Sequence, residues 1–145
     1  MNQNPIDILL VEDNIHDAEL TMRELRKHRL ANNVVHLKNG EEALDFLFSS
    51  TEAGEPSRSL PKLVLLDIQM PKVNGFEVLQ QLKTHELTRA TPVVILTSSN
   101  EDPDIRRCYD LGVNSYIVKP VNFERFTEAI RSLGLYWLLL NQSPT

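Results

Sequence analysis

Short apolar runs alternate with longer amphipathic stretches along this chain. Residues 8–11, 34–37, 63–66, 93–96 and 116–118 are brief and rich in Leu or β-branched side chains. They lack the polar alternation of a half-solvated strand, and so predict strands of a parallel sheet covered on both faces. Between them, apolar residues recur at helical spacing. The stripes are Ile15, Ala18, Met22 and Leu25; Ala43, Leu44 and Leu47, after an Asn39-Gly40 turn; Phe76, Leu79 and Leu82; Ile105, Cys108 and Leu111; and Phe123, Phe126, Ile130 and Leu133. Five strand-then-helix units predict a doubly wound α/β sheet, and right-handed crossovers leave it few topologies. Ligands of such sheets bind beyond the carboxyl ends of the strands, near the point where strand order reverses. Chemistry is therefore expected in the residues just after each strand.

The last stripe does not stop at Gly134. Phe123, Phe126, Ile130, Leu133, Trp137 and Leu140 continue a heptad-like seam, while Leu135, Tyr136, Leu138 and Leu139 fill the other faces. A segment apolar all round is expected to be buried, and little of its own domain is left to cover it. The division expected is one domain over residues 1–134 and a C-terminal apolar extension over 135–145. The extension reads as a contact surface for a second subunit, giving a homodimer, or for another partner. Its alternative is a tail folded back on its own sheet.

Composition narrows the field. A chain of 145 residues is one domain by size. Its net charge of −5 argues against nucleic acid or an anionic membrane as partner. One cysteine, Cys108, excludes an internal disulfide and a CxxC-type metal site, and suits a reducing compartment. The start, MNQNPIDILLVEDN, lacks a basic segment followed by a long apolar one. No apolar run approaches the roughly 18 residues of a membrane span. A cytoplasmic protein is the expectation.

At the predicted strand ends stand Glu12 and Asp13, then Asp67, then Thr97 and Ser98, then Lys119 and Pro120. Three acids in one cleft would raise one another's pKa. A hard divalent cation resolves that conflict, and oxygen ligands without His or Cys favour Mg2+ over zinc. Lys119 adds a point positive charge and Thr97 a hydroxyl donor. With Mg2+, for which Mn2+ could substitute, they make the surroundings a transferring phosphoryl group needs. A carboxylate can itself accept that group as an aspartyl phosphate, and Asp67 is the candidate acceptor.

Each residue also has a plainer reading. Asp13 could cap the helix beginning near Ile15. Lys119 could be a solvated loop lysine, and Thr97-Ser98-Ser99 a polar turn. Asp67 resists such a reading, because an acid ending an apolar strand just before Met70-Pro71 serves neither packing nor a cap. The joint occurrence at several strand ends favours a site.

The segments ILLVEDN, LVLLDIQMPKVNG, VVILTSS and YIVKP, in this order and spacing, resemble the receiver domain of two-component response regulators. That resemblance implies a flavodoxin-like fold, five parallel strands in the order 2-1-3-4-5 with five flanking helices. It implies phosphoryl transfer to Asp67 from a sensor histidine kinase or phosphotransfer protein, and no turnover of an external substrate. Asp13, Asp67 and the backbone carbonyl of Gln69 would bind Mg2+, with Glu12 acting through water. Thr97 and Lys119 would contact the phosphoryl oxygens, and the Lys119–Pro120 peptide would be cis. Thr97 and Tyr116 would form the switch, Tyr116 turning inward as Thr97 moves toward the phosphoryl group.

No further domain is expected after Leu133, which suggests a stand-alone receiver. The 14 residues between Phe48 and Leu63 exceed the usual connection of about 4–6 residues. With MPKVNGFEVLQQLK, these features resemble the regulators associated with cyanobacterial-type phytochromes. Three alternatives remain. A receiver-like docking module would never be phosphorylated. A Mg2+-dependent phosphohydrolase would need a second acid where Gln69 stands. A flavin protein of this fold would need a hydroxyl- and Gly-rich loop where Glu12-Asp13-Asn14 stands.

Overall fold

The computed structural model describes residues 7–31, 33–48, 60–70, 75–98, 103–113 and 115–134. Strands and helices alternate: β1 (Ile8–Val11), α1 (Ile15–Lys27), β2 (Val34–Leu37), α2 (Gly40–Phe48), β3 (Leu63–Asp67), α3 (Gly75–Thr84), β4 (Val93–Thr97), α4 (Asp104–Asp110), β5 (Tyr116–Val118) and α5 (Phe123–Ser132). All pairings are parallel and the order is β2-β1-β3-β4-β5. This is the flavodoxin-like doubly wound sheet.

The missing polar alternation has a direct cause. Every residue of β1, β3 and β4 is buried, and successive side chains enter two different cores. Ile8, Leu10, Leu63, Leu65, Val94 and Leu96 pack on one face with Ala18 and Leu25 of α1 and Phe126 and Ile130 of α5. Leu9, Val11, Val64, Leu66, Val93 and Ile95 pack on the other with Leu47 of α2, Leu79 of α3 and Cys108 of α4. Neither face is left for solvent.

Two boundaries and two stripe positions differ from the periodicity. Strands β3 and β4 each run one residue further, to Asp67 and Thr97, because the ladder Asp67↔Leu96 and Thr97↔Val118 continues to those positions. Ile15 and Phe123 are exposed rather than buried in their stripes. Both are the first residue of their helix, while Thr21 and Thr127 further along are buried instead. The apolar extension, Leu135 to Leu140, lies outside the described residues, as do residues 49–59 of the long connection.

The chain runs from β1 outward to β2 on one side and returns to β3 on the other. Strand order therefore reverses between β1 and β3. The crevice this makes opens at their carboxyl ends, just where Glu12, Asp13 and Asp67 stand.

Candidate phosphoryl-acceptor site

Asp67 closes β3 with its side chain almost wholly buried. Its Oδ1 accepts the Gln69 backbone N–H at 2.9 Å, which fixes the carboxylate plane and leaves Oδ2 facing the cleft. The helix that follows comes very close. A Cβ on Gly75 would collide with the backbone carbonyl oxygen and Cα of residues 67 and 68, so only glycine lets α3 start there.

Glu12 is completely buried directly after β1. Its backbone is held on both sides by β2: Glu12 N–H donates to the Leu37 carbonyl at 3.0 Å. Nε2 of His36 lies 2.8 Å from the Glu12 carbonyl, and since a carbonyl only accepts, the imidazole is the donor. Asp13 follows on the same loop. The side chain that caps α1 is Asn14, whose Oδ1 accepts the Asp17 N–H at 2.9 Å. Asp13 is thus not the cap, and its plainer reading loses its support.

Glu12, Asp13 and Asp67 each present a carboxylate oxygen, and these oxygens lie within 4.8 Å of one another. Glu12 Oε1 is buried and accepts no hydrogen bond from the described residues. An all-oxygen set with an orphaned buried acceptor fits a hard divalent cation.

Lys119, directly after β5, reaches across this cleft. Its backbone N–H donates to the Thr97 carbonyl at 2.8 Å, and the Lys119–Pro120 peptide is cis. Its Nζ donates to Glu12 Oε2 at 3.2 Å, Asp17 Oδ2 at 3.2 Å and Asp67 Oδ2 at 3.1 Å. Nζ also lies 3.0 Å from Glu12 Oε1 without being aligned to donate to it. Burial pushes the Glu12 carboxyl up to about 8, helped by the hydrogen bond and charge of Asp67 and opposed by Lys119. Burial alone would lower Lys119, but its bonds to Glu12 and Asp67 and their charges outweigh that and raise it.

The sign of the consequence for stability is fixed. Between its ordinary 4.5 and about 8, folded Glu12 keeps a proton that the unfolded chain releases. Stability of the metal-free protein therefore declines as pH rises through that window. Urea unfolding at a series of pH values checks this, and a flat profile from pH 5 to 8 refutes it.

Thr97 is fully buried at the end of β4 and pairs with Val118. Tyr116 is half-buried on β5, its ring edge-to-face with Tyr109 at 6.3 Å between centroids. Beside them a groove of about 660 Å3 runs along β5, lined among others by Ser98, Tyr109, Tyr116, Arg125 and Glu128. Fold and register thus bring Glu12, Asp13, Asp67 and Lys119 into one cleft, with Thr97 and Gln69 at its rim. Asp17 and His36 belong to the same network but were not singled out by the sequence reading. Asp17 stands four residues after Asp13 in the first turn of α1, a spacing that could have flagged it; His36 is masked as an ordinary strand residue.

A family model described as the response regulator receiver domain matches residues 8–131. The chain belongs to that family. It is 45% identical over 142 residues to the probable methanogenesis regulatory protein FilR2 of Methanothrix harundinacea, covering 98% of this chain and 90% of that protein. It is 50% identical to the bacteriophytochrome response regulator AtBRR, with a TM-score of 0.81 over 96% of this chain and 99% of that one. Response regulator Rcp1 of Synechocystis is 34% identical over 134 residues, 92% of this chain and 90% of Rcp1. The Mn2+-bound crystal structure of Rcp1 superposes with a TM-score of 0.71 at 32% identity, over 97% of this receiver and 100% of that chain. Among the described residues no helix is long and apolar enough to cross a membrane.

Proposed function

We propose that this receiver is a phospho-accepting switch whose acceptor is Asp67. The observation that carries the proposal is Asp67 Oδ2 in the cleft, accepting from the Lys119 ammonium at 3.1 Å and grouped with two further carboxylates. Oδ2 supplies an electron pair to the phosphorus of a phosphohistidine on a sensor kinase or phosphotransfer protein. The Oδ2 pair becomes the new O–P bond of an acyl phosphate, while the P–N bond breaks and the leaving imidazole nitrogen keeps the P–N bonding pair. Asp13, Asp67 and the Gln69 carbonyl would hold Mg2+, or Mn2+ in its place, with Glu12 acting through water. When bound, the cation neutralises charge on the acids and on the phosphoryl oxygens.

Lys119 and Thr97 would orient the phosphoryl oxygens. The added charge, about −1.5 to −2, would draw Thr97 and let Tyr116 turn inward, altering the α4–β5–α5 face beside the groove. Partners would read that change as a population shift. The chain catalyses its own phosphorylation and dephosphorylation without turning over an external substrate, and works in the cytoplasm as a stand-alone regulator. The likeness to the bacteriophytochrome response regulator AtBRR makes a phytochrome-type kinase the first candidate to test. Acetyl phosphate with Mg2+, read by intact mass on wild type and Asp67→Asn, tests the acceptor.

The apolar segment of Leu135, Tyr136, Trp137, Leu138, Leu139 and Leu140 would hold a homodimer. Deleting residues 135–145 is expected to convert a dimer to a monomer in sedimentation. An unchanged oligomeric state removes the idea.

A further inference from the structure

An ammonium group has three hydrogens to donate. In this structure all three are spent on carboxylates: Glu12 Oε2, Asp67 Oδ2 and Asp17 Oδ2. A phosphoryl oxygen arriving beside Asp67 needs one of them, so one carboxylate must let go. The three are not equivalent. The side chains of Glu12 and Asp67 are 1% and 4% exposed, and that of Asp17 is 35% exposed. Water can replace the bond at Asp17 and screens that pair, whereas releasing Glu12 or Asp67 would leave a buried carboxyl oxygen short of a partner that water cannot easily supply.

Among the described residues, the Asp17 carboxylate has no hydrogen-bond or ion-pair partner besides Lys119. Its backbone N–H is capped by Asn14, so its carboxylate is free to turn back over Lys119 from the first turn of α1. An acid at that turn is stabilised by the helix dipole with or without the lysine. Losing its partner therefore costs the helix little.

We propose that Asp17 is a positioning residue that holds the third Lys119 donor as a replaceable partner and yields it to the incoming phosphoryl group. Asp17 thereby sets how tightly the phosphoryl group is held, by competing with it for one hydrogen bond. This rests on the reading of Asp67 as acceptor. The competition is worth about as much as a half-exposed ion pair, which corresponds to roughly two- to fivefold in affinity.

The test is titration of beryllofluoride into the Mg2+-saturated full chain, followed by calorimetry, for wild type, Asp17→Ala and Glu19→Gln. Glu19 is an exposed acid on the same helix, so its substitution changes net charge equally. Asp17→Ala is expected to bind about two- to fivefold more tightly than wild type, and Glu19→Gln to match wild type. Unchanged or weaker binding by Asp17→Ala, or an equal gain in Glu19→Gln, overturns this inference alone. A wild-type protein that binds no beryllofluoride overturns the acceptor reading, and this one with it.

Discussion

Asp67→Asn is expected to take up no phosphoryl group from acetyl phosphate and Mg2+, while the wild-type chain gains one. The amide offers an uncharged oxygen whose lone pair is delocalised toward nitrogen, so it cannot displace acetate at phosphorus. The fold should survive, because an Asn oxygen can still accept the Gln69 N–H that holds Asp67 Oδ1 at 2.9 Å. Loss of uptake would then report chemistry and not unfolding. The substitution has a second, independent signature. Two of the three influences that raise Glu12 come from Asp67, its hydrogen bond and its charge. Removing them leaves burial alone against Lys119, so the Glu12 carboxyl should titrate below about 8 in the variant. Isotope-edited NMR of the glutamate carboxyls reads that shift. A variant that still gains a phosphoryl group would move the acceptor to another carboxylate, with Asp13 first in line.

Lys119→Gln is expected to cause the largest loss of stability at this site in the absence of divalent cation. It leaves the buried Glu12 and Asp67 side chains facing each other without a positive charge. Breaking a buried pair by removing one partner costs about 3–5 kcal/mol. The loss should depend on pH in a defined direction. In wild type, stability falls until Glu12 ionises near pH 8 and then levels off. Without Lys119 the hydrogen bond and the charge that pull Glu12 down are gone, so the variant goes on losing stability above that pH. Lys119 itself stays charged in both folded and unfolded states until pH approaches its ordinary 10.5, so it does not blur the comparison. Urea unfolding should therefore show a wider gap at pH 9 than at pH 6, and Mg2+ should narrow it. Equal stability of the two proteins at both pH values would mean that the acids do not depend on Lys119.

Much of this could be read along the chain because each piece is local. A strand buried on both faces is an unbroken apolar run, so the runs at 8–11 and 63–66 declare themselves. The residue after such a run lies at the carboxyl edge of the sheet whatever the rest of the chain does. That is why Glu12, Asp13, Asp67, Thr97 and Lys119 could be gathered into one set. Periodicity failed at Ile15 and Phe123, the exposed first residues of α1 and α5, because spacing shows which face of a helix is apolar, and not how deeply each turn along that face is covered.

The chain by itself therefore determined the layer architecture and which residues collect at the strand ends, since both depend on neighbours in sequence. The tertiary structure alone decided who touches whom. Lys119 meets Glu12 across 107 positions and Asp67 across 52. It alone also revealed Asp17 as a third partner, His36 as the clamp on Glu12, and the backbone contact that requires Gly75. The physical reason is that these contacts depend on how far apart helix starts and strand ends come to lie once two cores have closed. No local pattern of residues carries that distance.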